Sequence, residues 1–298
     1  SRRIAPNAAF LPSTRLNVVK MQQPSTIRPR IRSAEPWIIL MSRFLLCCFS
    51  LLYALPAWSD DATLARLFAQ HQLSGTMVIS TLNGSQSFVH NSKRAGQRLP
   101  VASTFKIFNT LIALEEKVVS DKDTVLHWDG KQHAISDWNR DQTLASAFKV
   151  SCVWCYQQMA TEIGADRYRH YLRQAHYGEL REPFDHTRFW LDGSLQISAQ
   201  EQITFLKQVY QRQLPFSAHS YDTLRQIMLA EQTPAYRLYA KTGWASSASP
   251  QVGWYVGYVE TARDVWFFAT NIDIHDAAQL PLRLSLTRTA LQAKGIID

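Results

Sequence analysis

A change of hydrophobic period constrains this chain more than any other feature. Three late segments, Tyr236 to Trp244, Val252 to Glu260 and Val265 to Ile274, carry aromatic and β-branched residues at period two between short polar turns. They read as neighbouring strands. An early pair, Gly75 to Leu82 and Ser85 to His90, is joined at Asn83-Gly84, a strong hairpin dipeptide. Between these two strand regions the period is helical: Ser136 to Lys149, Val153 to Ile163, Ala165 to Ala175, Ala199 to Arg212 and Ser217 to Ala230. Short amphipathic helices over Asp60 to Gln72 and Leu282 to Lys294 bracket the whole. The pattern predicts an α/β fold of the α+β kind, an antiparallel sheet flanked by terminal helices with an inserted all-helical subdomain over about 103–231. A site would lie between the two.

Charge is distributed unevenly. The 298 residues carry 32 basic and 24 acidic side chains, and eight of the basic residues lie before Asp60 with one acidic partner, Glu35. The folded part is close to neutral, which excludes a basic nucleic-acid-binding face. From Met41 the chain reads as a secretory signal: Arg43, the apolar run Phe44 to Trp58, and a small-x-small cleavage site at Ala57-Trp-Ser59. The run is short for a membrane span; the competing reading is an uncleaved anchor lengthened back through Trp37 to Leu40. Residues 1–40 look like an upstream extension, 41–59 like the signal peptide and 60–298 like the catalytic domain. A periplasmic location follows from that division, with no membrane contact after cleavage.

Cys47 and Cys48 fall in the signal, which leaves Cys152 and Cys155 as a C-x-x-C among Val150, Val153, Trp154 and Tyr156. Apolar flanks favour buried structural thiols over a redox pair. The nearest histidines (His127 and His133, His170 and His176) are not at ligand spacing on one helix face, so no metal is expected.

The chemistry-bearing residues stand in a fixed order. Ser103-Thr-Phe-Lys106 follows Pro100 and precedes the apolar run Ile107, Leu111, Ile112, Leu114, which places a hydroxyl and an amine three residues apart near a helix start. That pair can be a nucleophile and its base. A chain of this length contains roughly one S-x-x-K by chance, and Ser146-Ala-Phe-Lys149 is such a decoy, with no apolar helix behind it. Ser151-Cys-Val153 puts a second serine within a plausible proton relay. Lys241-Thr-Gly243 lies in the first late strand, where Lys241 and Gly243 share a face and the absent side chain leaves room for a ligand backbone beside an ammonium.

This order, with Trp190-Leu-Asp-Gly193 between the second serine and the Lys-Thr-Gly, resembles the serine penicillin-recognising enzymes, and most of all the class D (oxacillinase-type) β-lactamases. The resemblance spans nearly all of Asp60 to Asp298, including Pro100 to Ile107, Trp128-Asp-Gly-Lys131, Lys241 to Trp244 and Trp266 to Asn271. It implies Ser103 as the acylated nucleophile and Ser151 as a proton relay. Lys241, Thr242 and Arg283 become carboxylate binders, and the N–H groups of Ser103 and Trp244 the oxyanion hole. It also implies that CO2 carbamylates Lys106 in a pocket of Phe105, Val153, Trp190 and Leu191, held by the Trp190 N–H, with no other cofactor. Desolvation by such a pocket would supply the neutral amine that attacks CO2.

Two departures stand out. Glu179 follows Tyr177-Gly178 where the family usually has Asn, and the loop Ala245 to Pro250 is short and uncharged. The expected partners are β-lactams, with a monomer or homodimer as the working form. Rival readings are a membrane-anchored β-lactam sensor that stays acylated and a cell-wall peptidase.

Overall fold

The structure, a computed structural model, describes residues 60–298. The signal and upstream segments expected before Asp60 lie outside the described residues. Helix α1 (Ala62–Gln70) starts at Asp61, whose carboxylate accepts from the N–H groups of Thr63 and Leu64 at 3.0 Å, a side-chain cap. Strands β1 (Gly75–Thr81) and β2 (Ser87–His90) form the expected hairpin. Helix α2 (Ser92–Ala95) and strand β3 (Leu99–Pro100) lead into a 3-10 turn, Ala102–Phe105, and then α3 (Lys106–Glu115). Ser103 therefore sits in a tight turn ahead of the α-helix rather than in its first turn.

The helical stretch expected over Ser136 to Lys149 is divided. A short ladder of β4 (Val125–Leu126) and β5 (Gln142–Thr143) precedes α4 (Leu144–Lys149). Ser146 N–H donates to Thr143 Oγ1 at 3.1 Å while Thr143 N–H donates to Ser146 Oγ at 2.9 Å. This reciprocal cap fixes the helix start, and it spends the Ser146 hydroxyl of the decoy motif on the backbone. Helices α5 (Val153–Ile163) and α6 (Ala165–Gln174) follow, then β6 (Glu179–Leu180), β7 (Leu195–Ile197), α7 (Ala199–Tyr210) and α8 (Ala218–Met228). Leu229 turns to extended backbone at φ −60°, ψ 109°, ending α8 two residues before its expected limit. Strand β8 (Leu229–Gln232), which periodicity missed, then pairs with β9 (Tyr236–Ala245). Strands β10 (Gln251–Thr261) and β11 (Val265–Ile274) and helix α9 (Leu282–Ala293) complete the chain.

The main sheet has the order β2-β1-β11-β10-β9-β8 and is antiparallel throughout. Alternation divides its side chains between two cores. Met77, Ile79, Leu238, Val259 and Phe268 pack with Leu64 and Phe68 of α1 and with Leu286, Ala290 and Leu291 of α9. Val78, Tyr239, Val256 and Phe267 face the helical segments on the other side. Because both faces are covered, every residue of β1 is buried. Helix α3 lies inside the second core with Lys106 through Leu114 all buried, so its amine cannot reach bulk water.

Candidate active site

Three elements meet at Ser103. Pro100 O accepts from Trp254 Nε1 of β10 at 2.9 Å, and Val101 N–H donates to Leu195 O of β7 at 3.2 Å. The turn that follows holds Ala102 at φ 49°, a left-handed conformation that a non-glycine residue adopts only when its surroundings enforce it. Ser103 is left half-buried at the surface of the core.

Lys106 projects back from α3 onto that serine, and its Nζ donates to Ser103 Oγ at 3.2 Å. The residue is fully buried, and desolvation pushes its pKa down to about 7. The Tyr156 ring lies 4.8 Å from the amine; the phenol shares a 2.8 Å hydrogen bond with Thr110. Tyr156 is thus a wall of the pocket that the residues named from sequence did not include; its position one helical turn after Val153 was the available signal. Phe105 stacks on Trp190 at 5.9 Å between ring centroids. The Trp190 Nε1–H is buried and has no partner, so it is free to hold an acceptor placed in this pocket. Leu191 and Val153 are half-buried, and Leu191 O accepts from Ser247 Oγ at 3.1 Å, which ties the short loop after β9 to the Trp190 segment.

The second serine and second lysine also meet. Ser151 stands at φ 55° just before α5, and Lys241 Nζ donates to its Oγ and to Thr242 O, the latter at 2.9 Å. Lys241 is only 4 % exposed, which rejects an ordinary surface strand lysine. Burial depresses its pKa first, and the charges of Lys106 and Arg283 depress it further. Its Nζ lies 5.5 Å above the Phe148 ring. Arg283, from α9, has Nε and Nη1 without partners and a pKa pushed down to about 10 by burial. Thr242 is half-buried and Gly243 buried on β9. Trp244 is the exposed member at 39 %, with Nε1 donating to Gln251 Oε1 at 2.9 Å. A cavity of about 560 Å³ opens beside Lys241 and Thr242, bounded by Phe148, Gln226, Tyr255 and Leu284.

Two expectations are corrected or resolved here. Cys152 and Cys155 are buried as expected but are joined in a disulfide, since residues one helical turn apart face each other over the start of α5. Glu179 is turned outward and accepts from Arg98 Nη1 at 2.8 Å, while Arg98 also pairs with Glu201. Among the described residues no group of three or more His, Cys, Asp or Glu side chains could hold a metal ion, and no helix is long and apolar enough to cross a membrane.

A hydroxyl beside an amine of lowered basicity, a second Ser–Lys pair, and unpaired cationic donors are the parts that acyl transfer on an anionic substrate requires. Such a site on this fold defines a serine penicillin-recognising protein, and residues 76–292 match the family described as transpeptidase, penicillin binding protein transpeptidase domain. Within that group the relatives narrow the assignment. The chain is 40 % identical over 240 residues to Beta-lactamase OXA-48 of Klebsiella pneumoniae, covering 80 % of this chain and 91 % of that one. A class D β-lactamase from Nostoc of solved structure is 42 % identical with a TM-score of 0.77, covering 78 % of this chain and 99 % of the other. The Regulatory protein BlaR1 of Bacillus licheniformis is 35 % identical over 232 residues, 77 % of this chain but 38 % of its own. The chain belongs to the class D β-lactamase family.

Proposed function

We propose that this protein hydrolyses β-lactam antibiotics through an acyl-Ser103 intermediate and so contributes to antibiotic resistance. The observation that carries the reading is the Lys106 amine, buried, pushed down to about 7 and 3.2 Å from the Ser103 hydroxyl. In the first half-reaction the Lys106 side chain removes the Ser103 proton, Oγ attacks the lactam carbonyl, and the N–H groups of Ser103 and Trp244 stabilise the oxyanion. Ser151, hydrogen-bonded to Lys241, delivers a proton to the departing ring nitrogen. Lys241, Thr242 and Arg283 hold the substrate carboxylate, and the two unpaired Arg283 nitrogens support that role. In the second half-reaction the Lys106 side chain activates the water that releases the acyl group.

The residues also suit a carbamate on Lys106, because the unpaired Trp190 Nε1–H offers a donor and the depressed pKa supplies neutral amine. Carbamylation would give Lys106 an anionic oxygen base in place of nitrogen. Export to the periplasm rests on the signal pattern at Met41 to Ser59 and is supported by the Cys152–Cys155 disulfide, a bond that persists in oxidising compartments.

The decisive experiment follows benzylpenicillin with Lys106→Ala in bicarbonate buffer, acylation and release measured separately. Both rates should fall by about 10²-fold or more. Normal release in the variant would remove Lys106 from the second step. Likeness to a regulatory protein makes the sensor the second reading, and the wild-type release rate decides it: a stable acyl-enzyme means sensing, rapid turnover means hydrolysis.

A further inference from the structure

The two oxyanion donors come from different elements, Ser103 from the 3-10 turn and Trp244 from β9, so no local backbone geometry fixes their separation. Thr104, next to Ser103 in the turn, packs against Gly243, next to Trp244 on β9. A Cβ built on Gly243 would come within 3.1 Å of Thr104 Cγ2 and 3.2 Å of Thr104 N; the nucleophile turn thus rests directly on the residue before Trp244. Thr104 Oγ1 donates to Val101 O at 2.7 Å, spanning the left-handed Ala102. With its proton spent, that hydroxyl can only accept, and Gln202 Nε2 of α7 donates to it at 2.8 Å. Thr104 and Gln202 are both fully buried. Helix α7 is itself anchored at its start, where Ser198 and Glu201 cap each other's N–H groups.

We propose that Gln202 is a positioning residue for acyl transfer: through Thr104 it holds the Ser103 turn against Gly243 and sets the separation of the two oxyanion donors. The proposal rests on the reading that Ser103 is acylated. A buried glutamine that merely satisfies the core would give the same burial and the same bond. What separates the two is where its loss is felt, since donor spacing acts on the tetrahedral intermediate and leaves ground-state binding alone.

The test uses Gln202→Met, which keeps length and loses the donor, Thr104→Val, which loses the hydroxyl, and Thr104→Ser, which keeps it. On the full chain, rapid mixing with benzylpenicillin gives the saturated acylation rate and the substrate dissociation constant. A boronic acid that forms a tetrahedral adduct on Ser103 reports the donors directly. Gln202→Met and Thr104→Val should each lower the acylation rate and the boronate affinity about tenfold, with the penicillin dissociation constant within about twofold. Thr104→Ser should keep the wild-type rate, and the double variant should be no slower than Thr104→Val alone. Rates within about twofold of wild type for Gln202→Met and Thr104→Val, or losses that appear equally in substrate binding, overturn the positioning role. Should Gln202→Met fail to fold, Gln202→Leu, which also lacks the donor, is measured in its place against the same criteria. A wild-type protein that is never acylated overturns the Ser103 reading and this proposal with it.

Discussion

Lys106 shows how far one environment changes the chemistry of one side chain. An ammonium in a fully buried position has lost its water and gained only a serine oxygen and an aromatic face, so the neutral form is favoured. With the pKa near 7, acidification converts the amine to an ammonium that can neither take a proton from Ser103 nor add CO2. The expected outcome is a turnover rate that rises with pH through about 7, with bicarbonate partly restoring activity on the acid side of that midpoint. Steady-state rates from pH 5.5 to 8.5, with and without added bicarbonate, check it; a bicarbonate-independent profile would count against carbamylation. Glu179, by contrast, stands where the family usually has Asn, and the structure gives its carboxylate a surface partner in Arg98, with both side chains well exposed. A pair of that kind contributes little to stability.

At the scale of elements, the start of α5 is the most heavily constrained junction near the site. Ser151 is held at positive φ by Ser151 N–H donating to Phe148 O at 3.2 Å and Cys152 N–H donating to Ala147 O at 2.9 Å, and the disulfide closes the next turn. Cross-linking so short a segment restricts the unfolded chain modestly, by about 2 kcal/mol in the chain-entropy account. Replacing Cys152 and Cys155 together by Ala should therefore lower the melting temperature by about 4–8 °C, read by calorimetry on the wild type and the variant. An unchanged melting temperature would mean that the bond adds nothing beyond the packing of the two sulfurs. Apolar flanks correctly indicated burial here. They could not indicate bonding, because pairing depends on the direction each Cβ takes over the first turn.

For the whole molecule, the buried lysines make stability depend on pH. Lys106 titrates near 7 in the native state and near its ordinary value of 10.5 when unfolded, and Lys241 is depressed in the same direction. Below about 7 both states of the protein hold the Lys106 proton and its contribution to the slope vanishes. Above 7 the unfolded chain binds more protons than the native one, so stability rises with pH. Buried tyrosines act in the opposite sense, since burial raises Tyr156, Tyr168 and Tyr177 above their ordinary value and stability falls once unfolded phenols ionise, near pH 10. Denaturant midpoints should increase from pH 7 to 9, and Lys106→Ala should flatten part of that increase. A wild-type midpoint that is flat or falling over this interval would contradict native-state deprotonation of Lys106.

The sequence by itself determined the elements whose apolar pattern belongs to one period: the hairpin at Asn83-Gly84, α5 to the residue, and β11 to the residue. It also placed Ser103, Lys106, Ser151 and Lys241 in order along the chain, and in the structure Lys106 Nζ donates to Ser103 Oγ and Lys241 Nζ to Ser151 Oγ. Tertiary structure alone decided the rest. The two-residue strands β3 to β6 are too short to carry a period, and β8 exists because β9 offers an edge to pair with. Tyr156 over the amine, Gln202 behind the Ser103 turn and the unpaired Arg283 nitrogens come from segments far apart in the chain. Periodicity reports which face of an element avoids water; which distant side chain fills the space opposite is settled only when the sheet and the helices close on one another.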